Sequence, residues 1–145
     1  MSGNLSVYSF TKVNLLVGGV PMVDFMDGDD AIKFTPGDDF INPIVGADGK
    51  PIISISTDES AILEMKLKPT SASITALQAL VRRSRISLRP LPFPVVLTDF
   101  TTSNVITGTN CMIMAPPEVS YGKNATPRIW RVFIGCYTEA TIGQL

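Results

Sequence analysis

The chain has 145 residues and a mass of 15.6 kDa, room for one ordinary domain that buries about two-thirds of its unfolded surface without a disulfide staple. Its apolar content is 45% but its charged content only 17%, against roughly 25% in an average soluble domain, so much of the surface is uncharged and suited to being covered by other subunits. It contains no histidine, which removes the commonest general base, the Ser-His and Cys-His nucleophile pairs and most zinc sites; the expectation is of no enzyme, no metal and no cofactor.

In chain order, residues 7–17 read as a strand, Gly18-Gly19 as a hairpin turn that tolerates positive φ, and residues 20–25 as the returning strand. A short strand at 31–34 leads into residues 35–51, whose three glycines and three prolines predict a long loop with a hairpin tip at Asp48-Gly49. Residues 52–57 alternate Ile53 and Ile55 with Ser54 and Ser56. Residues 62–68 alternate Leu63, Met65 and Leu67 with Glu64, Lys66 and Lys68, and both runs have the period of half-buried strands. Asp58, Glu59 and Ser60 turn the chain between them.

One helix follows. Thr70, Ser71 and Ser73 offer capping oxygens after Pro69, and Ile74, Leu77, Leu80 and Val81 fall on one face at helical spacing. Arg82 and Arg83 place cations at the helix end, where they complement its dipole. Pro90, Pro92 and Pro94 forbid helix beyond it, and strands are predicted at 95–100, 105–114 and 129–137. About eight strands and one helix predict a mainly β, single-domain chain over 1–145, an antiparallel β-sandwich or small barrel with one flanking α-helix. Cys111 and Cys136 lie in apolar strand-like runs and read as buried core thiols. The longest uncharged stretch, 100–117, is broken by threonines, asparagines and a terminal Pro116-Pro117, so no membrane span is expected. Residues 1–14 lack the basic segment and apolar run of a secretory signal, which predicts a cytoplasmic origin.

The near-neutral net charge of −1 hides two opposed halves. Residues 1–64 carry ten acidic side chains against three lysines, and residues 65–145 carry nine basic side chains against three acidic ones. Such a split either folds into internal pairs or serves a subunit whose acidic face meets the basic face of the next copy. In the second case Arg82, Arg83 and Arg85 are the inter-subunit contact.

Motifs that suggest chemistry fail on their details. The run Gly46-Ala47-Asp48-Gly49-Lys50 is too short for a phosphate loop and continues with Pro51 where a metal-reaching Ser or Thr belongs. Asp27, Asp29 and Asp30 begin like a calcium loop, but Ala31 and Ile32 occupy its fifth and sixth positions and no glutamate closes it. Ser120 and Lys123 have the Ser-x-x-Lys spacing, yet Gly122, Pro117 and Pro127 deny the helical turn that aligns such a pair, and Ser9 and Lys12 lie on opposite faces of a strand. The basic run Arg82, Arg83, Arg85 and Arg89 has no interleaved aromatic to stack bases, and the overall pI is 5.3.

The stretch 42–51 (Asn-Pro-Ile-Val-Gly-Ala-Asp-Gly-Lys-Pro), then Ser54-Ile-Ser-Thr-Asp58, Leu63 to Lys68 and Pro69-Thr-Ser71 before the helix, resembles the tail-tube subunits of contractile-tailed bacteriophages. Pro117, Ser120-Tyr121 and Lys123 ahead of Trp130 resemble that family's last hairpin, while the proline-rich segment 90–94 departs from its pattern. The resemblance implies homo-hexameric rings stacked into a hollow virion conduit, assembled in the bacterial host cytoplasm. Phage DNA then passes through without specific binding, and sheath, baseplate and tail terminator proteins are partners. It leaves two alternatives: the tube of a related contractile injection system, and a monomeric β-sandwich binding module of a virion. Within the tube reading, Val45, Gly46, Ala47, Asp48, Gly49 and Lys50 are expected at ring-to-ring contacts. A conduit for a polyanion is expected to be net negative, with Asp58, Glu59 and Glu64 as lumen candidates.

Overall fold

The computed structural model describes residues 13–28 and 30–141. The strand expected over 7–12, Ser9, Lys12 and Asp29 lie outside the described residues. Within them are ten strands and one helix: β1 (Val13–Val17), β2 (Val20–Pro21), β3 (Ile32–Pro36), β4 (Ile41–Val45), β5 (Pro51–Ile55), β6 (Ala61–Leu67), α1 (Ser73–Ser87), β7 (Phe93–Asp99), β8 (Asn104–Ala115), β9 (Arg128–Ile134) and β10 (Cys136–Thr141). Eight strands form one folded-over antiparallel sheet in the order β2-β1-β7-β8-β9-β6-β3, with β10 also on β8; β4 and β5 pair only with each other. The chain is a mainly β sandwich with one helix.

Alternation along the strands builds the core. On β6, Ala61, Leu63, Met65 and Leu67 are buried while Ile62, Glu64 and Lys66 point outward. On β9, Trp130, Val132 and Ile134 face the same interior. Leu15 and Val17 of β1 and Val95 and Leu97 of β7 close it from the other layer. The Gly18-Gly19 turn forms as expected, with both residues at positive φ.

The two layers are joined by a corner in the long β8–β9–β10 hairpin. The first half of β8 pairs with β7 and β10, and Met112 and Ile113 pair with β9. The single strand expected over 129–137 is therefore two, broken at Gly135 opposite Asn110, which sits at φ 55°. A Cβ on Gly135 would lie 3.1 Å from the Asn110 carbonyl oxygen, so the two strands cross here at a distance that glycine permits. Two residues before the corner on β8, Gly108 is buried, and a Cβ there would meet Ile134 Cγ2 at 2.8 Å. Gly108→Val is expected to destabilise the fold by about 1–3 kcal/mol through overpacking, read as a lowered urea midpoint with an unchanged slope. The prolines at 90–94 leave β7 to begin at Phe93. Pro94, which has no N–H to give, falls at a register shift between β7 and β8, and its carbonyl accepts the Gly18 N–H at 2.8 Å.

The helix lies over this core through Leu77, which is wholly buried, with Ile74, Leu80 and Val81 partly buried beside it. Capping differs in detail from the expectation. Ala72 occupies the N-cap without a side-chain bond, and Ser71 acts one residue upstream, its Oγ accepting the Ser73 N–H and its carbonyl the Ile74 N–H. Both serines also hold the segment after β2: Val23 donates its N–H to Ser73 Oγ at 2.9 Å, and its carbonyl accepts from Ser71 Oγ at 2.7 Å. The helix start and the first hairpin are thereby one unit.

Cys111 is buried in the core, where desolvation pushes its thiol up to about 11. Cys136 does not share that site. It is half-buried, its Sγ 3.4 Å from Glu59 Oε2, and both cysteines are free.

Candidate assembly surface

Residues 35–51 are not the loop their glycines and prolines suggest. They hold the end of β3 and all of β4, which with β5 makes a two-stranded ribbon standing off the main sheet. Its register pairs Ile41 with Ile55, Asn42 with Ser54, Pro43 with Ile53, Ile44 with Ile52 and Val45 with Pro51. Alternate pairs share a face. One face is therefore Ile41, Pro43, Val45, Pro51, Ile53 and Ile55, six apolar residues, and every one of them is exposed. The half-buried strand expected at 52–57 is thus corrected: Ile53 is 59% and Ile55 67% exposed, because none of the described residues forms a second layer under the ribbon.

The ribbon tolerates its prolines for a geometric reason. The Gly46 N–H donates to the Lys50 carbonyl and the Ser56 N–H to the Phe40 carbonyl, so the bonded pairs of the ladder are 40 with 56, 42 with 54, 44 with 52 and 46 with 50. Pro43 and Pro51 fall at the intervening positions, where the backbone N points away from the partner strand. Each ribbon edge thus lacks one donor, which discourages edge-to-edge pairing.

Val45, Gly46, Ala47, Asp48, Gly49 and Lys50 make up the ribbon tip. Gly49 adopts φ 78°, its N–H reaches the Gly46 carbonyl at 3.0 Å, and Asp48 Oδ1 accepts the Lys50 N–H at 3.1 Å. This is a three-residue hairpin turn closed by a left-handed glycine. At the base, Ser56 Oγ donates to Asp38 Oδ2 at 3.0 Å and accepts the Asp58 N–H, while Asp58 Oδ1 accepts the Ser60 N–H. The Ser60 hydrogen bonds lower the pKa of Asp58. The base is consequently pinned to the start of β6.

Asp58 and Glu59 share the turn before β6, but Glu64 is apart from them. It lies on the outward face of β6, in register between Lys33 of β3 and Arg131 of β9. The structure therefore does not gather the three lumen candidates into one acidic stripe. Arg82, Arg83 and Arg85 are exposed on the last turns of α1, next to exposed Ile86 and Leu88. Among the described residues the ion pair formed is Lys66 Nζ with Asp30 Oδ2 at 2.8 Å, which joins the acidic half to the basic half and lowers the Asp30 pKa, while Arg82, Arg83 and Arg85 form none.

Ser120 and Lys123 sit in the irregular segment between β8 and β9, not on a helical turn. That segment's Tyr121 lies over Arg128, whose guanidinium carbon is 5.5 Å from the ring centroid. Among the described residues no three acidic or cysteine side chains gather as a metal site, and no helix is long and apolar enough to cross a membrane.

Known structures share this arrangement of strands and helix. The tube-terminating cap of the anti-feeding prophage superposes with a TM-score of 0.63 at 9% identity over 97% of this chain and 95% of that one. This fold is shared with contractile particles. A chain of the sheath/tube terminator of an extracellular contractile injection system gives 0.60 at 7% identity, covering 97% of this chain and 100% of that one. A chain of the sheath–tube complex of such a system gives 0.56 at 6% identity, covering 94% and 93%. No protein-family model and no curated protein matches the sequence.

The ribbon's apolar face is the feature that the sequence reading missed. Pro43 and Pro51 share that face because the turn has three residues, 47–49, a register that the Asp48-Gly49 pair alone does not fix.

Proposed function

We propose that the chain is a structural, non-catalytic subunit of a phage-type contractile tail tube, forming hexameric rings that stack into a conduit for DNA. The observation that carries this reading is the ribbon: six exposed apolar residues on one face of a hairpin held on a finished core call for cover that the described residues do not supply. The fold shared with tube-associated chains over nearly the whole length supports it, as does the resemblance of residues 42–71 to tail-tube subunits. In this reading residues 45–50 contact the next ring, and sheath, baseplate and terminator proteins are partners in the assembled tail.

A second reading is favoured by the two terminator-type superpositions at 0.63 and 0.60: a ring that caps a tube without stacking on itself. Negative-stain images of the concentrated protein separate the two. Long tubes support the tube subunit, isolated rings the cap, and monomers at every concentration refute both and favour a virion binding module.

Reversing Arg82, Arg83 and Arg85 to Glu is expected to leave the melting curve unchanged, since none of the three has an ion-pair partner among the described residues, and to abolish ring formation. Sedimentation of the triple variant is the measurement, and normal assembly would show that these charges serve no contact. The bore is proposed to be net negative and lined by Asp58 and Glu59, with Glu64 balanced by Lys33 and Arg131; a map of an assembled particle checks the sign.

A further inference from the structure

Beside α1 the fold leaves a groove. β8 departs from β7 after Cys111, and its last residues face the helix across a cavity of about 310 Å³ lined by Leu80, Val81, Phe93, Met112, Ile113 and Met114 among others. The groove continues past Val81, Arg85 and Pro116 into a recess that adds Gln78, Arg82 and Trp130. One end is apolar and the other is basic. At the basic end the buried Trp130 indole N–H has no acceptor among the described residues, and the charged groups there are the two guanidiniums of Arg82 and Arg85.

The occupant that fits is an extended apolar element carrying carboxylates. The same chain displays one. The β4–β5 ribbon has its apolar face at Ile41, Pro43, Val45, Pro51, Ile53 and Ile55, with Asp48 at its tip and Asp38, Asp39, Asp58 and Glu59 around its base, against the single cation Lys50. We propose that the groove along α1 receives the β4–β5 ribbon of a second copy, apolar face against Leu80, Phe93 and Met112 and carboxylates toward Arg82 and Arg85. This rests on the self-assembly reading above and names the surfaces that carry it. Ribbon and groove are different patches of one subunit, so the contact is head-to-tail and each added copy presents a fresh ribbon or groove, which is what a ring or a stack requires.

Two variants test the pairing. Ile53→Asp with Ile55→Asp spoils the ribbon and leaves the groove, while Arg82→Glu with Arg85→Glu spoils the groove and leaves the ribbon. All four positions are exposed, so both proteins are expected to fold. Each alone is expected to sediment as a monomer, and an equimolar mixture is expected to form a one-to-one dimer that grows no further, because its remaining ribbon and groove are the spoiled ones. A disulfide between Ile53→Cys in one protein and Val81→Cys in the other is expected to trap that dimer. Wild-type protein that assembles while the mixture stays monomeric would assign the groove to another occupant and overturn the proposal with the assembly reading intact. Wild-type protein that stays monomeric would overturn both.

Discussion

Replacing Leu77 by Asp is expected to destabilise the chain by about 3–5 kcal/mol, a large part of the roughly 5–15 kcal/mol that holds a domain of this size together. Leu77 has no exposed surface and belongs to the same cluster as Leu15, Val17, Trp130 and Val132. The substitution removes the packing of a full aliphatic side chain and sets a carboxylate among buried apolar residues, away from the helix's own Arg82, Arg83 and Arg85, which are all at the surface. At about 2–4 °C per kcal/mol for a chain of this length, the melting temperature falls by about 6–20 °C. Leu77→Met, which keeps the volume and the apolar character, is expected to cost under about 1.5 kcal/mol. Equal melting curves for the two variants would show that the helix is not held to the sheet by this residue.

The contrast between β6 and β5 marks what alternation conveys. On β6 the period of two placed Leu63, Met65 and Leu67 inside, and the structure buries all three. On β5 the same period placed Ile53 and Ile55 on one face, which is right, but whether a face is covered depends on what lies opposite it. That is a property of the tertiary arrangement, and nothing in a strand's own residues records it. The segment 35–51 misled for a related reason. Proline excludes a strand only where its missing N–H belongs to the ladder, and at Pro43 and Pro51 it does not. The helix was legible because its stripe, its serines and its arginines agree with one another. Its caps were less so, because Ser71 and Ser73 are engaged with Val23, a residue fifty positions upstream of Ser73. The break at Gly135 shows the same dependence on distant residues: the glycine is needed by its crossing with Asn110, and the apolar run 129–137 is continuous through it. Among the site residues, the opposed charge halves left internal pairing and an inter-subunit contact both open, and Arg82, Arg83 and Arg85 form no ion pair among the described residues. The acidic lumen set separated because the neighbours of Glu64, Lys33 and Arg131, come from strands more than thirty positions away.

A chain in which residues 45–51 are replaced by Asn-Gly is expected to melt as the wild type does and to form no tubes. Residues 45–51 are all exposed, and none belongs to the core. The hydrogen bonds they make, from Gly46 to Lys50, Gly49 to Gly46 and Lys50 to Asp48, close the turn on itself. Asn-Gly supplies the two positive-φ residues of the tightest hairpin turn, so Ile44 and Ile52 with the pairs below them keep their register. The ribbon then loses Val45 and its acidic tip, and with strands rising about 3.4 Å per residue its reach shortens by roughly a third to a half. Each aliphatic side chain of the ribbon, once buried, contributes about 1.5–3 kcal/mol to a contact. Loss of Val45 together with the reach that seats its neighbours therefore weakens each contact by more than one order of magnitude, and a tube multiplies that loss over every subunit. Thermal melting reads the first half of the expectation and negative-stain imaging the second. Tubes of normal length from the shortened chain would place the contact between rings elsewhere on the subunit.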